Sequence, residues 1–262
     1  MGGVNATFDV GLFVQAIEGL GLRFRWSRAV VCPCAVNVDE TQQPDPTCSV
    51  CAGSDGWRYV NPYLRENRHT TDTWSEVMAI FSRIALDPKL NQTFGPWGFG
   101  DAAMTVAGEH RVGYRDLFVG LDQEMPWTEI VLREAGTNVV LVGKTGRTTT
   151  AQKYALRYEP IRVNYVVDSA HNEFFQGVDF DIREATQTEP AKLVWRAGMG
   201  PVAGLLYSVQ YVCHPVWVVD DATFGIQHLQ GPAKGSRGRV EVQQLPTTFK
   251  VRLDYLTPQR GA

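Results

Sequence analysis

Five cysteines occur in the 262-residue chain, and four of them lie between positions 32 and 51. Cys32-Pro-Cys34 and Cys48-Ser-Val-Cys51 form two close pairs joined by residues 35–47. Thiolates are soft ligands, and four of them complete the tetrahedron that zinc prefers. Cys48 and Cys51 have the C-x2-C spacing usual for half of such a site, whereas Cys32 and Cys34 are set more tightly. The Ala-Gly-Ser-Asp-Gly run after Cys51 lets the backbone turn closely around sulfur, and Pro44 and Pro46 stiffen the approach to the second pair. Competing readings are two disulfides, four free thiols or a catalytic dithiol. Cys32 and Cys34 are too close in sequence to bridge each other easily, and a reducing compartment opposes bridging. A thioredoxin-type dithiol needs a strand-to-helix setting that this segment lacks. Catalytic zinc keeps one coordination position open, and four thiolates leave none. The expectation is a structural zinc ion held by Cys32, Cys34, Cys48 and Cys51.

Other residues hint at chemistry less strongly. Gly143-Lys144-Thr145 echoes the end of a phosphate-binding loop, but the required earlier glycine is Asn138 and no helix signal follows. Cys213-His214 places two potential ligands side by side on a strand-like run, where their side chains face opposite ways. His69, His110, His171 and His228 share no metal or triad spacing. Asp179 and Asp181 alternate along another strand-like run; they read as a solvated face before they read as an acid–base pair. Asp220-Asp221 reads as a turn. Gly231–Arg239 is a glycine-rich basic loop whose Lys234, Arg237 and Arg239 suit a phosphate or an acidic neighbouring subunit, against the plainer reading of a solvated loop. Seven tryptophans serve either core or subunit interface, where aromatics are enriched.

The composition sets bounds on these readings. Hydrophobic residues make up 44% and charged residues 20%, enough apolar material for a packed core. Twenty-five basic against 28 acidic residues give −3, which argues against an extended nucleic-acid surface. No apolar run approaches the roughly 20 residues of a membrane span. The start Met1-Gly-Gly-Val-Asn-Ala lacks a secretory pattern, and Ala6 departs from the myristoylation motif. The expectation is a soluble protein folded in a cytoplasm.

The elements that must position the cysteines read mostly as β. Residues 8–20 place Phe13, Val14, Ile17 and Leu20 on one helical face, with Gly21 as the stop. Leu22–Trp26 alternates like a strand. Glu76–Ile84 fits strand or helix, and Glu129–Lys144 fits a hairpin. Tyr154–Val167 reads as two strands broken at Glu159-Pro160. Lys192–Arg196, Leu205–Val219 and Arg239–Tyr255, with a break at Leu245-Pro246, complete the set. Leu205, Tyr207, Val209, Tyr211 and Cys213 share one side. Short strands and frequent turns indicate a mainly β chain with a small N-terminal helix and a zinc-bearing loop, followed by β-barrel or β-sandwich units. The expected division is 1–75 for the helix and zinc segment, 76–150 for a middle β unit, and 151–262 for a C-terminal β-sandwich.

The run CPC…PDPTCSVCAGSDGWRY resembles a cysteine motif of virion structural proteins from tailed bacteriophages. Gly100-Asp101 with Tyr114-Arg-Asp-Leu-Phe118 is similar to the Gly-Asp…Arg-Asp pattern of their following β unit. LVWRAGMGPVAGLLYSVQYVCHPVWVV is similar to a phage β-sandwich pattern. The loop after Cys51 is one residue longer than the compact Gly-x-Gly form. The resemblance implies a non-enzymatic virion component of the head–tail neck, tail or baseplate. Such a component assembles in the host cytoplasm as a homo-oligomeric ring and contacts other virion proteins. The alternative is a zinc-stapled nucleic-acid-binding or adaptor module, with Lys234, Arg237 and Arg239 as its contacts. A cell-wall hydrolase would need a carboxylate pair or an open zinc position, and the sequence promotes neither.

Overall fold

The computed structural model describes residues 10–35, 48, 56–63, 73–82, 99–133, 156–184, 191–221, 228–232 and 240–256. Its fold is mainly β with one small N-terminal helix. The chain forms two compact units, each drawn from separated stretches of sequence. The first comprises Met1–Val30, Tyr59–Asp122 and Val216–Pro258; the second comprises Val31–Arg58, Gln123–Pro215 and Gln259–Ala262. Neither unit coincides with one of the expected segments 1–75, 76–150 and 151–262.

The first unit is built on a closed barrel. Its strands are β1 (Leu22–Val31), β3 (Ser75–Ser82), β4 (Asp101–Val106), β5 (Leu117–Gly120), β11 (Val216–Asp221) and β14 (Thr247–Leu253). They follow the order β1-β3-β4-β14-β11-β5, and the β5–β1 pairing closes the ring. Every step is antiparallel. Strand β2 (Trp57–Val60) pairs onto β1 outside the ring. Closure leaves no open sheet edge in the ring itself. Alternate residues point inward, as the period of two requires. Phe24, Trp26, Ala79, Met104, Phe118, Val219, Phe249 and Val251 thereby form a dry interior. Trp26 stacks on Phe118 at 6.1 Å, and Phe118 meets Phe249 at 5.6 Å. Each large side chain of this kind stabilises by about 1.5–3 kcal/mol on burial.

Helix α1 (Val10–Leu20) packs against β3 and buries Ile17, with Phe13 and Val14 half-buried. Leu20, expected on the same face, is 81% exposed because the helix ends there. The amide of Gly21 donates to the Ile17 carbonyl at 2.8 Å. A Cβ on Gly21 would lie 2.3 Å from that oxygen and 3.1 Å from the Ala79 carbonyl. Glycine is required here by the close approach of helix and strand. A separate ribbon, β12 (His228–Pro232) with β13 (Val240–Gln244), precedes β14, with the expected break at residues 245–246.

The second unit contains an antiparallel sheet, β6 (Met125–Leu132), β10 (Leu206–Cys213) and β7 (Pro160–Asp168), in the order β6-β10-β7. A ribbon of β8 (Phe180–Arg183) and β9 (Lys192–Trp195) accompanies it. Tyr207, Val209, Tyr211 and Cys213 are buried along one side of β10, as the alternation predicts, whereas Leu205 precedes the strand and is 49% exposed. Trp195 is ringed by Phe174, Phe180 and Tyr207 at 5.3 Å each.

Several local expectations are corrected. Pro160 opens β7 instead of interrupting two strands; proline lacks an amide donor, and β7 is an edge strand where none is needed. Leu205–Val219 is not one strand. It divides at His214-Pro215 into β10 and β11, which belong to different sheets. Asp220 and Asp221 end β11 and do not form a turn; Asp220 lies 3.4 Å from Arg252 on the neighbouring β14. Glu76–Ile84 resolves as strand through Ser82. The first arm of the expected hairpin at 129–144 ends β6 and pairs with β10; residues 134–144 lie outside the described residues. Among the described residues, no helix is long and apolar enough to cross a membrane.

Candidate metal centre

Strand β1 delivers the chain directly to Cys32, and a single 3-10 turn, Pro33–Ala35, brings Cys34 back beside it. The amide of Cys32 donates to the Gly56 carbonyl at 2.7 Å. Gly56 has φ +78° and leads into β2. The two ends of the segment that carries all four cysteines are thus tied together by a backbone bond.

Within this segment the Sγ atoms of Cys32, Cys34 and Cys48 lie within 4.8 Å of one another. Cys32 and Cys48 are 3.8 Å apart. None of the three is in a disulfide, and a sulfur–sulfur bond would need about 2.05 Å. Two thiolates on one tetrahedral zinc, each at about 2.3 Å, sit about 3.8 Å apart. The Cys32–Cys48 separation therefore matches shared metal coordination. Cys32 is 1% exposed, and Cys34 and Cys48 are half-buried. No other group of three or more His, Cys, Asp or Glu side chains is close enough to hold an ion among the described residues. Three sulfur donors suit zinc, copper(I) or iron far better than magnesium or calcium. Cys51, the expected fourth ligand, lies outside the described residues.

The remaining candidates fall elsewhere. Lys234, Arg237 and Arg239 follow β12 and precede β13 in sequence but lie outside the described residues. Cys213 is fully buried and separate from the cluster; burial, with a smaller push from Glu129, raises its thiol to about 12. The Nδ1 of His214 lies 2.9 Å from the Gln123 carbonyl. Asp179 accepts the Phe175 amide at 2.7 Å, and Asp181 pairs with Arg196 at 3.2 Å, so both carboxylates serve local structure.

Compared with known proteins, the chain matches no family model and no curated protein.

Two carboxylates outside the candidate set prove structurally central. Asp116 is 1% exposed and accepts three N–H groups, from Trp26 Nε1, Ala29 and Gly113, each at 2.9 Å. Burial raises its carboxyl above the usual range, opposed by those donors. The Asp101 side chain is fully buried, 2.7 Å from Arg252 Nε and 3.0 Å from Lys250 Nζ. Sequence reading places both in the Gly-Asp…Arg-Asp pattern but does not single out their buried anchoring role. Beside the first lies a polar contact between the Tyr63 hydroxyl and His110 Nδ1. Burial lowers the pKa of His110, opposed by Glu109.

Proposed function

We propose that the chain is a non-enzymatic structural component of a tailed bacteriophage particle. In this reading the cysteine cluster binds one zinc ion and staples a docking loop. The observation that carries the metal part is the three-sulfur group, with its 3.8 Å Cys32–Cys48 separation at the root of a backbone-tied segment. With Cys51 as the expected fourth thiolate, the set would be a closed structural site and not an open catalytic one.

The assembly part rests on the resemblance of the cysteine run, of the Gly-Asp…Arg-Asp pattern and of the LVWRAGMGPVAGLLYSVQYVCHPVWVV run. It is supported by where those patterns fall. Asp101 and Asp116 are buried anchors of a closed barrel, a rigid platform of the kind a ring subunit needs. The second compact unit offers further strands for subunit contact, and homo-oligomerisation in the head–tail neck or tail follows as the expected form.

Two measurements test this. Elemental mass spectrometry of chelator-free protein should give about one zinc per chain, lost in Cys48→Ser. Proteomics and immunogold labelling of gradient-purified particles made from the encoding genome should find the chain at the neck or tail. Its absence from finished particles would refute the assembly role, and a metal-free chain with reduced thiols would refute the staple.

A further inference from the structure

We propose that the cysteine cluster is also a redox clasp, in which Cys48 and Cys32 are the pair that joins when the metal is lost to oxidation. This rests on the zinc reading for its resting state. Two observations carry it. The first is distance: of the three sulfurs grouped within 4.8 Å, Cys32 and Cys48 stand 3.8 Å apart. Bringing them to bonding distance takes about 1.8 Å of sulfur movement, within reach of side-chain rotation. The second is access. Cys48 is half-buried whereas Cys32 is 1% exposed. A solvent oxidant meets Cys34 or Cys48, and the shielded sulfur 3.8 Å from Cys48 is Cys32. An accessible thiolate next to a resolving thiolate is the arrangement that stops oxidation at the disulfide.

The chemistry balances with a peroxide as oxidant. The Cys48 thiolate attacks one peroxide oxygen, the O–O bond breaks, hydroxide leaves, and a sulfenic acid forms. The Cys32 thiolate then attacks that sulfur, the S–S bond forms, and the sulfenyl oxygen departs as a second hydroxide. Two thiolates lose two electrons, and the peroxide gains them. Cys32 and Cys48, once joined, would no longer be anionic ligands for a divalent ion. The new bond would join the same two residues that the metal reading joins, so Cys32 and Cys48 stay linked under oxidising conditions. Cys213 does not compete, being buried away from solvent as a thiol.

The test titrates the metal-loaded full chain with hydrogen peroxide. It follows metal release with a chromophoric chelator and maps disulfides by fragmentation mass spectrometry without reduction. The expected result is one Cys32–Cys48 link per chain, formed in step with metal release and reversed by a thiol reductant plus zinc. Cys213→Ala and Cys34→Ser should retain the link, and Cys48→Ser should lose it. A link between any other pair, or oxidation of Cys48 to the sulfinic acid with no link, would overturn the proposal. Metal analysis before oxidation separates the two readings. A metal-free chain that still forms the Cys32–Cys48 link keeps the clasp and loses the staple. A zinc-loaded chain that forms none loses the clasp alone.

Discussion

The indole N–H of Trp26 donates to Asp116 Oδ2 at 2.9 Å in a fully buried setting, tying β1 to the turn that leads into β5. The same carboxylate takes the amides of Ala29 and Gly113. Asp116→Ala would remove the acceptor of three donors, one buried and two half-buried, and a fully buried orphan costs about 1–3 kcal/mol. We predict a loss of about 3 kcal/mol or more in urea denaturation. Asp116→Asn, which keeps one acceptor oxygen, should lose less. Equal losses for the two variants would show that the hydrogen bonds are not what the carboxylate contributes.

The protonation of Asp116 supplies a second prediction. Burial holds its pKa above the ordinary 3.8 in the folded chain. The native state therefore binds this proton more tightly than the unfolded state. The resulting stability is fully present below 3.8 and is lost as pH rises through the native value. Measured between about pH 3 and 7, the stability of the natural chain relative to Asp116→Asn should be greatest at the acid end. A difference that grows with rising pH would reverse the sign and place the hydrogen bonds above desolvation.

Asp101 anchors a different kind of cluster. Lys250 is 5% exposed, with Asp101 at 3.0 Å and Asp220 at 3.9 Å. Removing one member of a buried ion pair strands the other, at about 3–5 kcal/mol. Asp101→Ala should show that loss in denaturant titration. Asp101→Ala combined with Lys250→Met should recover most of it, because no buried charge is then left alone. A double variant as unstable as the sum of its parts would mean that Lys250 is already well solvated or otherwise neutralised.

How much of this was legible in the sequence depends on the range of each signal. Period-two alternation marks Tyr207, Val209, Tyr211 and Cys213 as one buried side because it is local to a strand. It does not name a strand's partners. Closing β1 onto β5, or seating β14 between β4 and β11, joins residues far apart in the chain, so a barrel or sandwich is legible as a class but its strand order is not. Pro160 reads as a break between two strands for the same reason: a proline breaks a central strand but opens an edge strand, and edge position is a tertiary fact. Asp220 read as a turn because Asp-Asp is polar, yet the Arg252 guanidinium on β14 makes a strand position favourable for it. The grouping of Cys32, Cys34 and Cys48 is legible because close-spaced cysteines have few reasons to cluster other than ligating a metal or bridging.

Two glycines of one turn offer a controlled comparison. Gly198 and Gly200 both adopt left-handed backbone, at φ +77° and +90°. A Cβ on Gly198 meets nothing within 4 Å, whereas one on Gly200 would lie 2.2 Å from Trp195 Cε3. Gly198→Ala should cost only the left-handed penalty, about 1 kcal/mol. Gly200→Ala adds displacement of the Trp195 ring from Phe174, Phe180 and Tyr207, an overpacking cost of about 1–3 kcal/mol more. Denaturant titration of both variants should therefore separate them by at least about 1 kcal/mol, with near-ultraviolet dichroism changed in Gly200→Ala alone. Equal costs would mean that the ring yields freely and that backbone conformation, not the aromatic cluster, requires glycine at both positions.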